Sequence, residues 1–114
     1  MASVRFKLVF FTPRTDTAKV LNQLFSKCPQ HLGKIGNYEQ CAFITPGVGQ
    51  FQPAQGANPT LGTLGVLEKV EEDRVEILLH DKGERRELSD AIQALKEVHP
   101  YEEVAYDVYR LEDV

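Results

Sequence analysis

One dipeptide restricts this chain more than any other, His99-Pro100 near its C-terminal end. A proline ring crowds helical backbone in the residue before it, so a helix running up to His99 must stop there and an extended segment must begin. Around that corner stand His99-Pro100-Tyr101-Glu102-Glu103. An imidazole, a phenol and two carboxylates are thus held where the backbone has little freedom. Any fold proposed for the chain must place a helix-to-strand corner at this point and account for the chemistry it carries.

The rest of the chain supplies the elements on either side. Val4 to Thr12 alternates as a strand, with Val4, Phe6, Leu8 and Phe10 on a core face and Arg5, Lys7, Val9 and Phe11 on a face that starts wet and becomes covered. Pro13 stops it, and Thr15 or Asp16 can cap a helix whose apolar stripe is Val20, Leu21, Leu24, Phe25 and Cys28. The segment from His31 to Tyr38 has no periodicity. Cys41 to Thr45 reads as a second strand, with Cys41, Phe43 and Thr45 on one face, and Pro46 to Gly65 reads as a long Gly/Pro-rich loop. Leu64, Val66 and Val70, then Val75, Ile77 and Leu79, mark a third strand whose change of parity predicts a bulge near Glu72. Asp81 and Glu84 have the spacing of a capping box ahead of a helix with stripe Leu88, Ala91, Ile92, Leu95 and Val98, and Val104 to Leu111 reads as the last strand.

This order, β-α-β-β-α-β, predicts an α+β, ferredoxin-like sandwich: a four-stranded antiparallel sheet with two helices on one face. A length of 114 residues fits a single domain, 1–114. Val9, Phe11, Tyr106 and Val108 are expected to leave the other sheet face apolar enough to be covered by further copies of the chain, a homo-oligomer. With a net charge of -4 the chain lacks a basic surface, which disfavours nucleic acid and anionic membranes as partners. The longest apolar runs fall far short of a membrane span, and Cys28 and Cys41 are too few for a disulfide framework, so a cytoplasmic protein with free thiols is expected.

Two families share these residues in order. Gln40 to Val48, Val70 to Leu79 and His99-Pro100-Tyr101-Glu102 resemble the CutA divalent-cation-tolerance family. Gly36-Asn37-Tyr38, Cys41, Phe43, Gly47-Val48-Gly49-Gln50-Phe51, Pro53, Pro59, Gly62, Glu72 to Glu76, His99 to Glu103 and Tyr106-Asp107 are similar almost throughout to the domain inserted in the NGG-interacting-factor family, also described as GTP cyclohydrolase type 2-like. These resemblances imply a PII/CutA-like domain, that insert standing alone, assembled as a homotrimer. They do not extend to the core domain that holds the larger family's paired metal ions, so they imply no hydrolase activity. The CutA pattern also departs at its hairpin tryptophan, since this chain contains none.

The CutA resemblance implies copper at a cysteine of the second strand and a glutamate near the start of the third, here Cys41 and Glu72. Thiolate, imidazole and carboxylate suit copper or zinc, so Cys41, Glu72, His99 and Glu102 form the expected metal set. Each has a plainer reading: Cys41 as a small packed hydrophobe, Glu72 as a solvated bend residue, His99 as a structural imidazole at a helix end. His99, Tyr101, Glu102 and Glu103, with Gly47 and Gly49 as a weak phosphate-cradle signal, are the candidate ligand-binding residues. Loop 46–62 is the expected route to a small ligand or protein partner. Two functions follow, a trimeric binding or sensing domain and a structural or adaptor trimer. An enzyme using His99 and Glu102 as acid and base has least support, because no nucleophile or cofactor motif accompanies them.

Overall fold

Six elements occur in the expected order in the computed structural model, which describes residues 3–114: β1 (Val4–Pro13), α1 (Thr17–Lys27), β2 (Phe43–Phe51), β3 (Glu68–Asp81), α2 (Arg86–Val98) and β4 (Tyr106–Leu111). Every strand pair is antiparallel and the spatial order is β2-β3-β1-β4. The most apolar strand takes a central place: Leu8, Val9 and Phe10 have no exposed surface. Phe6, Leu8 and Phe10 join Val75, Ile77 and Leu79 on one face, and Val20, Leu24 and Phe25 from α1 with Ala91, Ala94 and Leu95 from α2 close over them as a single core. This is the ferredoxin-like α+β sandwich that the sequence predicts.

Unequal strand lengths give the molecule its shape. β1 follows β3 only as far as Pro13 opposite Glu72, whereas β2 continues beside β3 to Phe51 opposite Glu68. The β2–β3 hairpin therefore runs past the helix-covered body as a two-stranded arm. The molecule measures 50 × 26 × 24 Å along its principal axes.

That arm corrects three expectations. The second strand does not run from Cys41 to Thr45; it begins at Phe43 and continues through Pro46, Gly47 and Gly49 to Phe51, leaving residues 52–67 as the loop. Pro46 is tolerated because β2 is an edge strand with only one side in the ladder. There is no bulge near Glu72, since both pairings of β3 pass through it without a break in register. The parity change has another cause: Asp73, Val75, Ile77, Leu79 and Asp81 are buried under the helices, and beyond Asp73 there is no helix to bury that face, so Glu72 and Val70 become the half-buried set.

Smaller differences lie at the element ends. Tyr106 and Val108 pack against the helix-side core, which leaves Val9 and Phe11 on the open face. β4 begins at Tyr106, two residues later than expected, because residues 101–105 form the corner after Pro100. Asp16 precedes α1 but makes no side-chain cap. Instead, the Thr17 hydroxyl donates to the buried Asp73 carboxylate at 2.7 Å, fixing the helix start to β3. At α2 the partner of Asp81 is Glu87, not Glu84: the Asp81 carboxylate accepts the N–H groups of Gly83, Arg85 and Leu88, and Glu87 Oε1 accepts that of Lys82. Gly83 and Arg85 both turn through positive φ, which displaces the expected spacing.

Candidate functional site

His99 ends α2 with φ -74° and ψ 140°, the extended geometry that Pro100 demands. Its ring turns inward and is only 7% exposed. Nδ1 accepts the N–H of Tyr101 at 3.1 Å, which leaves the ring proton on Nε2, where it is donated to the Phe11 carbonyl at 2.6 Å. Burial pulls its pKa below the ordinary imidazole range, and the opposing pulls of the Phe11 carbonyl, Glu72 and Asp16 do not restore it. His99 is a neutral fastener between the end of α2 and the end of β1.

Tyr101 lies on the far side of that fastener. Its ring packs 5.2 Å from the His99 ring and 6.0 Å from that of Phe51, centroid to centroid. Its hydroxyl donates to Glu72 Oε2 at 3.2 Å, and burial, then the Glu72 charge, pushes the phenol pKa up to about 12. Glu72 sits opposite Gly47 in the ladder and leans across Gly49, where a Cβ would collide with its carboxylate. A side chain at position 49 would displace the Glu72 carboxylate that receives Tyr101. Gly47 has open space around it and its carbonyl accepts from Arg14 at 3.1 Å. Both glycines lie in a strand, so they do not form the phosphate-cradling loop that their spacing suggested.

Loop 52–67 folds back over this corner. The Asn58 N–H donates to both oxygens of the Glu102 carboxylate, at 3.0 and 3.2 Å, while Gly65 N–H closes on the Pro53 carbonyl at 2.7 Å. Pro53 is buried, and the loop is therefore seated on the arm at one end and on the His-Pro-Tyr-Glu-Glu corner near its middle. Between loop and sheet lies a cleft of about 440 Å³. Phe11, Phe51 and Tyr101 supply its aromatic surface, and Glu72, Glu102 and Glu103 its charges.

Of the expected residues, the fold thus gathers Glu72, Tyr101, Glu102, Glu103 and Gly49 around one cleft, places His99 behind its wall, and leaves Gly47 and Cys41 outside it. Cys41 precedes β2, its N–H bonded to the Gly33 carbonyl and its thiol 3.8 Å from the Glu39 carbonyl. The copper or zinc set does not fit within one chain. Both nitrogens of His99 are committed, Cys41 lies before the open end of the hairpin while Glu72 pairs with Gly47 at the middle of β2, and among the described residues no group of three or more His, Cys, Asp or Glu side chains converges as a metal site. Phe11, Phe51 and Asn58 were not singled out from sequence. Phe51 carried a signal, an aromatic closing a run of small residues, whereas the return of Asn58 to Glu102 spans 44 residues and has no local signature.

No family model matches the chain. A GTP cyclohydrolase 1 type 2 homolog of Halalkalibacterium halodurans is 41% identical over 106 residues, which cover 93% of this chain and 27% of that protein. The Mycobacterium tuberculosis protein of the same description is 35% identical over 105 residues, covering 92% and 26%. The chain spans about a quarter of the length of the curated relatives it matches. Among solved structures, a Bacillus cereus protein related to NIF3 superposes with a TM-score of 0.77 at 37% identity, over 99% of this chain and 27% of that one. The divalent ion tolerance protein CutA1 from Ehrlichia chaffeensis superposes with a TM-score of 0.67 at 13% identity, over 100% of this chain and 87% of that one. The first likeness makes the chain a homologue of one domain-length segment of these longer proteins, and the second shows that its fold is CutA-like.

Proposed function

We propose that this PII/CutA-like domain is a binding module. It takes a small ligand in the cleft between loop 52–67 and the His-Pro-Tyr-Glu-Glu corner, and it assembles as a homotrimer. The observation that carries the ligand reading is the forked hydrogen bond by which the Asn58 N–H holds the loop to Glu102, a residue of the cleft lining. A ligand polar group that engages Glu102 competes with Asn58 for the same carboxylate, so occupancy repositions the loop, which is then the natural element to signal to a partner. The volume lies within the range of small-molecule sites, and the surface is largely apolar with a few polar groups, as such sites require.

Self-association is supported by the outer edge of β2, the strand whose end lines the cleft. β2 is a nine-residue edge strand whose outer hydrogen-bonding groups have no strand beside them. It also carries Phe43 at 64% and Val48 at 70% exposure. A long, partly apolar edge invites another chain, and a neighbouring copy is the simplest cover. The same edge favours the adaptor reading, in which the arm joins subunits and no ligand is taken.

Native mass spectrometry with added copper, zinc, nucleotides and small organic ligands separates these. The expected result is a three-chain species that keeps an organic ligand and loses the metals on buffer exchange. A bare trimer that retains no ligand supports the adaptor reading. A monomer overturns the assembly.

A further inference from the structure

The cleft contains an imbalance of charge. Glu72, Glu102 and Glu103 line it, and no lysine or arginine does. Arg14 is paired with Glu71 and Asp73, and Arg74 with Glu76, while Lys69, across the ladder from Gln50, is exposed and outside the lining. Glu72 receives one hydroxyl and Glu102 one N–H. A carboxylate offers about four acceptor directions, so both retain unfilled acceptors.

The rest of the lining is apolar and aromatic. Phe51 and Tyr101 stand together at 6.0 Å, inclined 56° to each other, and Phe11 lies beside them on the open sheet face. Aromatic faces attract a cation, and a carboxylate attracts it more strongly where water is partly excluded, as at half-buried Glu72; Glu102 and Glu103 are exposed and add a weaker, screened attraction. An anion meets the reverse: three like charges and no lysine or arginine among the lining residues; Arg74, whose guanidinium stands 5.8 Å from the Phe11 ring centroid, is paired with Glu76. That argues against a phosphate or nucleotide in this cleft. A bare metal ion is poorly served as well, because the carboxylates are spread around an apolar cleft and do not converge.

Resting on the reading of this cleft as a ligand site, we infer that it selects small organic cations: an ammonium or guanidinium group directed at Glu72 and Glu102, on an apolar body that lies against Phe51 and Tyr101. Glu103 adds to the attraction from the rim. The positive group then replaces the Asn58 N–H as the partner of Glu102, which is how the loop would distinguish a cation from a neutral molecule of the same shape.

The test uses three probes of one size and opposite charge character, phenethylamine, 2-phenylethanol and phenylacetate, followed by amide chemical shifts of the folded protein at neutral pH. Phenethylamine is expected to shift Phe51, Asn58 and Tyr101, to bind about tenfold or more tightly than 2-phenylethanol, and phenylacetate is expected not to bind. Glu72→Gln and Glu102→Gln keep the oxygen that receives Tyr101 or Asn58 while removing the charge. Each should weaken the amine by about tenfold and leave the alcohol unchanged. Equal binding of amine and alcohol, with both variants indifferent, overturns cation selectivity while the cleft remains a ligand site. Shifts from none of the three overturn both.

Discussion

From Asp73 to Asp81, β3 buries every second side chain beneath α1 and α2, with β1 paired on one side. From Glu68 to Glu72 the same strand has β2 alongside it, no helix above, and no fully buried residue. The first half is held by contacts that any change disturbs, because close-packed side chains have no spare room. The second half is held mainly by its backbone ladder, by the seated loop and by Tyr101. Its side chains are accordingly free to serve recognition, and the cleft lies there. Stability and binding are divided along a single strand, with the division at Glu72 and Asp73.

The largest expected effect tests that division directly. Leu24 is fully buried in the core, and Leu24→Ala should cost about 3 kcal/mol in urea unfolding. Val48, on the arm, is 70% exposed in the single chain, so in a dissociated chain Val48→Ala should change stability by no more than about 0.5 kcal/mol. If Val48→Ala proves as costly as Leu24→Ala, and the cost falls on dilution, the arm is buried by another chain. The contrast would then hold for the single chain and fail for the assembly.

A smaller effect probes how the stable half is closed. Asp81 is buried, which disfavours its charge, yet the bonds from Leu88, Gly83 and Arg85 outweigh burial and hold its carboxyl below the ordinary range. Asp81→Ala leaves those three donors without an acceptor and should cost about 2 kcal/mol. The folded pKa is depressed, so the stabilisation is present above the unfolded pKa and is lost as pH falls through the folded one. A wild-type margin over Asp81→Ala that does not shrink at all as pH is lowered through and below the ordinary carboxylate range would contradict this account.

The same division explains what could be read from the sequence. β1 and both helices were legible because each presents one face to one core, and burial of one face writes a period of 2 or 3.6 into the residues; β4 was legible as a strand, but not which way Tyr106 and Val108 face. The arm has no core face to write such a period. Pro46, Gly47 and Gly49 therefore read as loop although they are strand, and Glu72 read as a bulge although the ladder runs straight through it. At the site, His99, Tyr101 and Glu102 were legible as a cluster because Pro100 fixes their corner. Their directions were not, since the inward turn of His99 depends on the Phe11 carbonyl 88 residues away. The Asn58 contact was illegible for the same reason. Cys41 precedes the strand it was expected to lie on, so within one chain it does not approach Glu72 or His99.

The smallest expected effect lies at the border itself, where His99 joins the stable half to the cleft. Burial lowers its pKa despite the Phe11 carbonyl and the neighbouring carboxylates Glu72 and Asp16, and Tyr101, the other titratable group against its ring, stays neutral through this range with a pKa of about 12. An unfolded imidazole titrates near pH 6.5, so between that value and the lower folded one the unfolded chain binds more protons and stability must fall as pH falls. Above about pH 6.5 the contribution is level. One proton limits the slope to about 1.4 kcal/mol per pH unit, and ordinary carboxylates titrate lower, outside this window. The check is urea unfolding from pH 7.5 to 5.5 on wild type and His99→Gln, whose difference removes the contributions of His31 and His80. The slope should be shallower in the variant. Protonation of Nδ1 also removes the acceptor for the Tyr101 N–H, so exchange of that amide should quicken over the same range in wild type. Equal slopes in the two proteins would mean that His99 titrates as it does unfolded, and the ring could no longer be the neutral fastener that holds Tyr101 against the cleft.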